Sequence, residues 1–280
     1  MPSSKPAPRR NLSVAGLKKA LKGRVDLKLN GWEILGDIMV VELGNGYTED
    51  EKRLIGEKII ELHPKATTVI NRKSIEDELR QPQAEVLAGT RTETIYKEEE
   101  RLFKLDPTKV MFSFGNKEER KRMGTISSKD EIIVDMFACV GQFTIPIAKY
   151  SRPKKVYAVE KNPVAFEYLK ENIRLNKLDN VEAVLGDCRD VCPKGVADRV
   201  VMGYLFETEK FLKTAIEALG KRGIIHYHFV CDAYKLEGEK KRIIETIKEN
   251  AKNAKISKTV KVKSYAPKMY HWVLDIEVER

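Results

Sequence analysis

The sequence predicts an α/β fold in which a seven-stranded, mostly parallel sheet over residues 111–280 follows a small α+β domain over residues 1–110. Ile132, Ile133 and Val134 form a β-branched run that is typical of a buried parallel strand, and a small-residue loop and an apolar helical pattern follow it. Strand-like and helix-like segments then alternate at the spacing of β-α-β units. These observations predict a doubly wound sheet organised around residues 131–149, in which residues 135–141 form the loop.

The first domain mixes helices with short strands, and its sequence shows no internal repeat and no catalytic cluster. Residues 49–62 are predicted to form a helix because Thr48 is a favourable N-cap and Pro64 follows the last turn. The pattern predicts a further helix at residues 12–21 and strands at residues 34–43, 67–70, 85–87, 92–96 and 101–105.

The second domain begins with a charged segment at residues 116–122, which by itself is typical of a solvated linker helix. Strands are predicted at residues 132–134, 155–159, 181–185, 198–202, 223–230, 259–265 and 270–278. Helices are predicted at residues 143–149, 163–175, 207–219 and 238–253. The last two strands form a hairpin, so the sheet is expected to end in an antiparallel pair.

The charge of the chain is uneven along its length. The net charge is +10, of which residues 1–110 contribute +2 and residues 111–280 contribute +8. Such an excess suits a polyanionic partner, although solvated basic faces are common. Helical spacing would put Lys241, Lys248, Lys252 and Lys255 near one face, where they are candidates to bind phosphates.

Neither a signal peptide nor a membrane-spanning segment is predicted, which indicates a cytoplasmic protein with reduced thiols. The four cysteines form no C-x-x-C pair, so a zinc site is not expected. His226 and His228 share one face of a predicted strand. Buried, hydrogen-bonded histidines are the favoured interpretation there, and a metal site is the weaker one.

The loop around Gly141 and two acids that follow strands form a candidate nucleoside site. Glu160 ends the strand after the loop, where a carboxylate can accept hydrogen bonds from both ribose hydroxyls. Asp187 follows the next strand, where it could accept from the amine of adenine, and Cys188 would offer a backbone N–H to the ring. The loop at Gly141, Glu160 and Asp187 follow three successive strands in the order that an adenosine pocket requires. The sequence lacks the G-x-G-x-x-G fingerprint and the P-loop, so this pocket is not of the dinucleotide or P-loop type.

Three motifs carry a family resemblance: Asp135-Met-Phe-Ala-Cys-Val-Gly-Gln-Phe143, Ala158-Val-Glu-Lys-Asn-Pro163 and Glu171-Asn-Ile-Arg-Leu-Asn176. They resemble the archaeal and eukaryotic tRNA guanine-37 N1-methyltransferases, as does the segment from Phe112 to Arg122. The resemblance covers residues 30–280 and implies a Rossmann-like class I S-adenosylmethionine-dependent transferase domain after a tRNA-binding accessory domain. It further implies S-adenosyl-L-methionine as co-substrate and the anticodon loop of tRNA-Phe as partner of a monomer, without metal or membrane.

The loop after the fourth strand departs from the methyltransferase pattern. Those enzymes carry Asn-Leu-Pro or Asn-Pro-Pro there, whereas this chain has Met202-Gly203-Tyr204. The chain also has Cys139 in place of a loop glycine and Gln142 in place of the usual proline. These departures resemble the sister enzymes of wybutosine biosynthesis, which implies transfer of the 3-amino-3-carboxypropyl group to C7 of 4-demethylwyosine and release of methylthioadenosine.

The resemblance also implies which residues bind the co-substrate: Ser113, Arg120, Phe137, Ala138, Gly141, Glu160, Lys161, Asp187, Cys188, Gly203 and Tyr204. No catalytic residue is identified, and Glu131 and Glu119 are the nearest candidate bases by sequence. Two alternatives stay open: an N1-methyltransferase with the same pocket, and a tRNA-binding protein without activity. The intact pair of Glu160 and Asp187 argues against the second.

Overall fold

The computed structural model describes residues 13–29, 31–76 and 78–280, which divide into two units. The first unit runs to Lys97 and includes Lys104–Met111, and the second holds Glu98–Phe103 and Phe112–Arg280. Each unit has its own sheet and its own buried apolar core. The predicted domain boundary between residues 110 and 111 stays a prediction.

The first unit packs two helices on a four-stranded sheet. Its elements are α1 (Val14–Leu21), β1 (Trp32–Leu35), β2 (Ile38–Val41), α2 (Glu49–Leu62), β3 (Thr68–Glu76) and β4 (Gln81–Ala88), and the strand order is β1-β2-β3-β4. The side chain of Thr48 accepts from the N–H of Glu51 and the Glu51 carboxylate accepts from the N–H of Thr48, so the predicted start of α2 is confirmed. Leu12, the predicted first residue of α1, lies outside the described residues.

The single strand predicted at residues 34–43 is wrong, because the chain turns back at Gly36 and forms the antiparallel pair β1 and β2. Gly36 has a φ of +57°, and a Cβ there would collide with the hydroxyl of Thr94. The carboxylate of Asp37 accepts hydrogen bonds from the hydroxyls of Thr67 and Thr94, at 2.9 and 2.7 Å. The apolar run at residues 34–43 therefore contains a two-residue hairpin turn at Gly36 and Asp37, which its hydrophobic pattern did not indicate.

A separate two-stranded sheet consists of β5 (Thr94–Glu98) and β6 (Arg101–Leu105), and the chain passes from one unit to the other within it. The remaining elements of the second unit are α3 (Lys117–Met123), β7 (Ile132–Asp135), α4 (Thr144–Pro146), β8 (Lys155–Glu160), α5 (Pro163–Leu175), β9 (Val181–Leu185), α6 (Cys188–Val191), β10 (Ala197–Met202), α7 (Leu212–Ala218), β11 (Leu219–Asp232), α8 (Leu236–Lys248), β12 (Asn253–Ala266) and β13 (Met269–Glu279).

The predicted seven-stranded sheet is confirmed, with the strand order β12-β13-β11-β10-β7-β8-β9. Strands β7 to β11 are parallel, and β13 runs antiparallel to both β11 and β12. The chain moves outward from β7 to β9 and then returns to β10, so the topological switch point lies between β7 and β10. We call the side where β7 to β11 end the carboxyl edge, and the side where they begin the amino edge.

Three predicted helices differ from the structure. The helix predicted at residues 143–149 is α4, which covers Thr144–Pro146 and continues as a π-helix, Ile147–Ser151. The helix predicted at residues 207–219 is a 3₁₀ turn, Thr208–Phe211, followed by α7, and Leu219 already begins β11. The helix predicted at residues 238–253 ends at Lys248. Lys252 lies in a turn and Lys255 lies on β12 opposite Glu277, so the expected lysine face is not helical and sits at the amino edge.

The charged segment at residues 116–122 is not a solvated linker. It forms α3, in which the side chains of Glu119 and Arg120 are buried together with Met123. A charged sequence gave no sign of this burial, because the partners that neutralise it come from distant parts of the chain.

Candidate functional site

The loop after β7 is fixed by backbone hydrogen bonds to the strands on both sides. The N–H of Met136 donates to the carbonyl of Val201, and the N–H of Ala138 donates to the carbonyl of Val159. Gly141 has a φ of +95°, and a Cβ there would lie 2.8 Å from the side chain of Ile145. The loop therefore needs glycine at this position and presents its backbone at the switch point.

Glu160 ends β8 and lies half-buried against this loop. Its carboxylate accepts from the N–H of Cys139 at 2.6 Å and from the N–H of Asn162 at 2.7 Å. Burial raises the pKa of Glu160, and these backbone hydrogen bonds oppose the rise. Each carboxylate oxygen has a second lone pair, so the group retains the capacity to accept from two hydroxyls.

Asp187 follows β9 and forms an ion pair with Lys161. The Lys161 ammonium lies 3.1 Å from the Asp187 carboxylate, which also accepts from the Arg189 guanidinium at 2.6 and 2.9 Å. The Arg189 hydrogen bonds hold the pKa of Asp187 well below its usual range. A ligand amine at this carboxylate would therefore share it with two cations.

Cys188, next to Asp187, is buried in the core of the second unit with Cys192. Burial raises the pKa values of both thiols, which are free and carry no charge at neutral pH. Burial also raises the pKa of the thiol of Cys139 in the β7 loop to about 12. The thiols at this edge are therefore small packing groups.

The loop after β10 packs three aromatic rings together at the carboxyl edge. The ring of Tyr204 stacks on Phe137 at 5.1 Å between centroids, and Phe211 meets the edge of both rings at 5.0 and 5.8 Å. A Cβ on Gly203 would lie 3.0 Å from the ring of Phe143. We call Phe137, Tyr204 and Phe211 the aromatic cluster; the sequence singled out the first two and missed Phe211.

Ser113 lies against the β7 loop, whereas Arg120 is placed beneath it. The N–H of Ser113 donates to Oε1 of Gln142 at 3.0 Å. The Arg120 guanidinium makes two hydrogen bonds to Glu98, at 2.8 and 2.9 Å, and donates to the carbonyl of Ser113 at 2.6 Å. Arg120 is fully buried and holds the backbone of Ser113, and its predicted contact with the co-substrate stays a prediction.

The two candidate bases are both held in ion pairs away from the loop surface. Glu131 precedes β7 at the amino edge, where Arg199 binds it at 2.6 and 3.1 Å. Glu119 is buried, and Arg122 binds both of its oxygens at 2.7 and 2.8 Å. The structure therefore contradicts Glu131 as a base, because it is at the opposite edge, and places Glu119 where a bulky acceptor has no access.

The predicted strand histidines belong to a buried polar group. Nδ1 of His226 lies 2.7 Å from Asp275, and Nδ1 of His228 lies 3.0 Å from Nε2 of His271. Burial lowers the pKa values of all three imidazoles. Among the described residues, no group of three or more His, Cys, Asp or Glu side chains is arranged to hold a metal ion.

The structure also shows contacts that the sequence did not signal. Lys263 donates to the hydroxyl of Ser113 at 2.8 Å although 150 positions separate them. Asp135, at the end of β7, is fully buried and accepts from the hydroxyl of Thr144 at 2.7 Å. Burial raises the pKa of Asp135 to about 6. In the part of the chain that the structure describes, no helix is long and apolar enough to cross a membrane.

Comparisons with known proteins agree with this arrangement. A family model described as the TRM5/TYW2 methyltransferase domain matches residues 94–260, and one described as the TYW2 N-terminal domain matches residues 16–92. The chain is 46% identical over 250 residues to the tRNA(Phe) (4-demethylwyosine(37)-C(7)) aminocarboxypropyltransferase of Methanocaldococcus jannaschii, which covers 89% of this chain and 98% of that protein.

Two further matches are a relative named for a different activity and a solved structure. The tRNA (guanine(37)-N(1))-methyltransferase Trm5b of Pyrococcus abyssi is 34% identical over 257 residues, covering 88% of this chain and 74% of that protein. The crystal structure of M. jannaschii TYW2 in complex with AdoMet matches with a TM-score of 0.72 and 41% identity, over 89% of this chain and 100% of that one. The matched residues and the shared fold show that this chain belongs to the TRM5/TYW2 family.

Proposed function

We propose that this protein transfers the 3-amino-3-carboxypropyl group of S-adenosyl-L-methionine to C7 of 4-demethylwyosine at position 37 of tRNA-Phe. The observation that carries the proposal is the loop after β10. Gly203 and Tyr204 stand where the N1-methyltransferases carry Asn-Pro, and Tyr204 packs into the aromatic cluster. The identity of 46% to a relative named for this activity, against 34% to a Trm5b enzyme, supports the same choice.

The residues at the carboxyl edge fit the adenosyl part of this co-substrate. Glu160 retains lone pairs for the two ribose hydroxyls, and Gly141 leaves the backbone of the β7 loop open to close approach. Asp187, with Lys161 beside it, accepts from the amine of adenine, and the backbone of Cys188 faces the ring edge. Gly186 has a φ of +149°, and a Cβ there would lie 2.7 Å from the side chain of Val191, so glycine keeps the turn into Asp187 narrow.

The aromatic cluster supplies an apolar wall with negative ring faces. Such faces attract a cation, and the sulfur of the co-substrate is a sulfonium. Gly203 allows the ring of Phe143 to approach the loop, because a Cβ there would lie 3.0 Å from that ring. The cluster therefore places the positive sulfur beside the glycine loop while leaving the methionine tail to other residues.

The reaction follows from which carbon on sulfur faces the acceptor. C7 of the base forms a bond to the tail carbon attached to sulfur, the carbon–sulfur electron pair leaves with sulfur as neutral methylthioadenosine, and C7 loses its proton. Since Glu119 and Glu131 are both held in ion pairs, the proposal assigns this proton to water. The protein's own contribution is to hold and orient the two substrates.

The tRNA is expected to bind at the same carboxyl edge through its anticodon loop. Three aromatic side chains are exposed there: Tyr234 at 87%, Tyr265 at 49% and Phe206 at 37%. The rings of Phe206 and Tyr265 meet edge to face with centroids 5.7 Å apart. Unpaired bases of RNA loops stack on such rings, and the exposed Lys235 and Lys268 lie beside them along the chain.

The remaining parts of the proposal follow from this substrate. Residues 1–110 act as an accessory domain that holds tRNA outside the anticodon loop, and residues 111–280 carry the reaction. The protein acts as a monomer in the cytoplasm, where tRNA is modified. Light scattering of the free chain and of its complex with tRNA tests the stoichiometry of one to one.

The proposal is tested with two preparations of S-adenosylmethionine, one labelled in the methyl carbon and one in the carboxyl carbon. With tRNA-Phe that carries 4-demethylwyosine, the carboxyl label should enter the tRNA and methylthioadenosine should accumulate. Methyl label in the tRNA, with S-adenosylhomocysteine as co-product, would establish the N1-methyltransferase or another methyl transfer instead. Neither label in the tRNA would favour a binding protein, and tRNA-Phe without the precursor base is the matched control.

A further inference from the structure

Lys263 comes from the edge of the sheet opposite β9, and its side chain extends to Ser113, which lies against the β7 loop. It lies on the edge strand β12, at an irregularity in the pairing of β12 with β13 between Lys261 and Lys263. Such a bulge redirects the side chain that follows it. The ammonium of Lys263 donates to the hydroxyl of Ser113 at 2.8 Å.

The side chain of Lys263 passes directly over Gly115, where the absence of a side chain leaves room for it. A Cβ on Gly115 would lie 2.6 Å from Cδ of Lys263 and 3.0 Å from its ammonium nitrogen, so any larger residue would push the lysine away. Gly115 is not required for a turn, since it has no left-handed φ. Its visible consequence is that a half-buried lysine lies across the 3₁₀ turn Phe114–Asn116.

Ser113 connects this lysine to the β7 loop. Its N–H is bound by Gln142, the residue directly after Gly141, and its carbonyl is bound by the buried Arg120. Both backbone polar groups of Ser113 are therefore hydrogen-bonded, which fixes the residue whose hydroxyl contacts Lys263. A lysine and a hydroxyl in fixed positions make a site for a small anion, because both can donate to the same oxygen pair.

The strand order says which part of the co-substrate this site would meet. Glu160 and Asp187, which fit the ribose and the adenine, follow β8 and β9 on one side of β7. Lys263 comes from β12, on the other side of β7, and meets the loop through Ser113. A molecule with its adenosyl end at β8 and β9 therefore extends its methionine tail toward Ser113.

We propose that the ammonium of Lys263 and the hydroxyl of Ser113 bind the carboxylate of the methionine tail of S-adenosylmethionine. The tail also carries an ammonium group, which Lys263 repels, so the pair fixes which end of the tail faces the lysine. This inference rests on the proposed function for the identity of the ligand. It deepens that function, because an enzyme that transfers the tail must hold the tail rather than the methyl group.

The test is a titration of the chain without tRNA, followed by calorimetry, with three ligands. S-adenosylmethionine carries the tail carboxylate, decarboxylated S-adenosylmethionine lacks only that group, and methylthioadenosine lacks the tail. Lys263→Met should weaken S-adenosylmethionine about tenfold or more and change the other two less than about twofold, since a charge-assisted hydrogen bond is lost only where the carboxylate exists. Ser113→Ala should give a smaller loss with the same selectivity.

Lys258→Met is the matched control, because Lys258 is an exposed lysine on the same strand. It should leave all three affinities unchanged. An unchanged affinity of Lys263→Met for S-adenosylmethionine would overturn the inference, and so would an equal loss for all three ligands. Weaker tRNA binding with unchanged S-adenosylmethionine binding would assign Lys263 to RNA instead.

Lys263→Arg guards against a folding defect. It retains the charge and should recover part of the selectivity for the carboxylate, which a packing role alone would not give. Because every readout is binding to free protein, failure here leaves the labelling experiment intact. Conversely, a labelling result that contradicts the proposed reaction would not alter the inference about which residues bind the methionine tail.

Discussion

The two edges of the seven-stranded sheet are made by the same strands but hold their charges differently. At the carboxyl edge, the fully buried Asp135 and the half-buried Glu160 have hydroxyl and backbone N–H partners, and desolvation raises the pKa of each. At the amino edge, Glu131 is paired with Arg199, and Asp198 accepts from the N–H of Ile132 at 2.8 Å. When ionised, Asp135 and Glu160 therefore lower the stability of the fold, whereas Asp187 at the same edge is paired with Lys161 and Arg189.

The largest expected effect on the difference between the two edges is a change in stability when Asp135 at the carboxyl edge is replaced. Asp135 has a folded pKa of about 6 against an ordinary value of 3.8, so its contribution is fully present below pH 3.8 and is lost as the pH rises through 6. Asn cannot ionise. Between pH 4 and pH 8, the free energy of unfolding of Asp135→Asn should therefore gain about 2.5 kcal/mol relative to the unsubstituted protein.

Denaturant unfolding at a series of pH values measures this difference. Asp187→Asn is the control, because Arg189 lowers the pKa of Asp187, so the stability from its ionised carboxylate is lost only as the pH falls below the ordinary value of 3.8. Between pH 4 and pH 8 its difference from the unsubstituted protein should therefore stay nearly constant. A difference between Asp135→Asn and the unsubstituted protein that does not vary with pH would show that Asp135 carries no cost of ionisation.

The strands of the carboxyl edge were predictable because parallel strands buried on both faces read as short apolar runs, as at residues 132–134. Their order also places Glu160 and Asp187 on the same side of the sheet. The contact of Lys263 with Ser113 has no such local signal, since it depends on a bulge in β12 and on the missing side chain of Gly115. Spacing along a chain cannot show a contact between residues 150 positions apart.

Two further features of the fold have no local signal in the sequence. Arg120 lies in a charged run, and Glu98, from β5, neutralises it inside the protein. Lys252 and Lys255 continue a helical spacing that the helix itself does not follow, because α8 ends at Lys248 and the chain turns into β12. In both cases tertiary pairing decided what local pattern left open. The assignment of the individual binding residues stays a prediction.

The second prediction compares one glutamate from each edge. Glu160→Ala should weaken binding of S-adenosylmethionine by about 2 kcal/mol, or about 30-fold, because two ribose hydroxyls lose their acceptor and the N–H of Cys139 loses its partner. Glu131→Ala should leave the dissociation constant within about twofold. Isothermal titration with both variants decides the point, and equal losses would mean that the two edges do not differ in ligand binding.

The third prediction concerns an exposed aromatic ring from each edge. Tyr265→Ala should weaken binding of tRNA-Phe by about 1–2 kcal/mol, because a stacked base loses its platform. Tyr150, which is 40% exposed and lies in the π-helix Ile147–Ser151 before β8 begins, is the matched ring near the amino edge. Tyr150→Ala should leave tRNA binding unchanged in filter binding. The stacking surface would be misplaced if the two variants lost affinity equally.

The smallest effect for each residue is expected from the surface lysines, and it also separates the two edges. Lys235, Lys261 and Lys268 lie at or near the carboxyl edge: Lys235 follows β11, Lys268 lies in the turn from β12 to β13, and Lys261 lies on β12 with its ammonium 3.4 Å from the ring of Tyr270. Lys248, Lys252 and Lys255 form the corresponding exposed set at the amino edge. Both sets carry three charges, so replacing either set with Gln changes the net charge equally.

A contact between a lysine and a phosphate of single-stranded RNA contributes about 0.7 to the slope of log affinity against log salt concentration. The triple Gln variant at the carboxyl edge should therefore lower that slope by about 2, while each exposed lysine contributes less than about 1 kcal/mol at physiological salt. The triple variant at the amino edge should keep the slope and the affinity for tRNA-Phe. Because the charge removed is the same, equal slopes for the two variants would mean that tRNA responds to net charge alone. A loss confined to the amino-edge variant would move the RNA to the other side of the sheet.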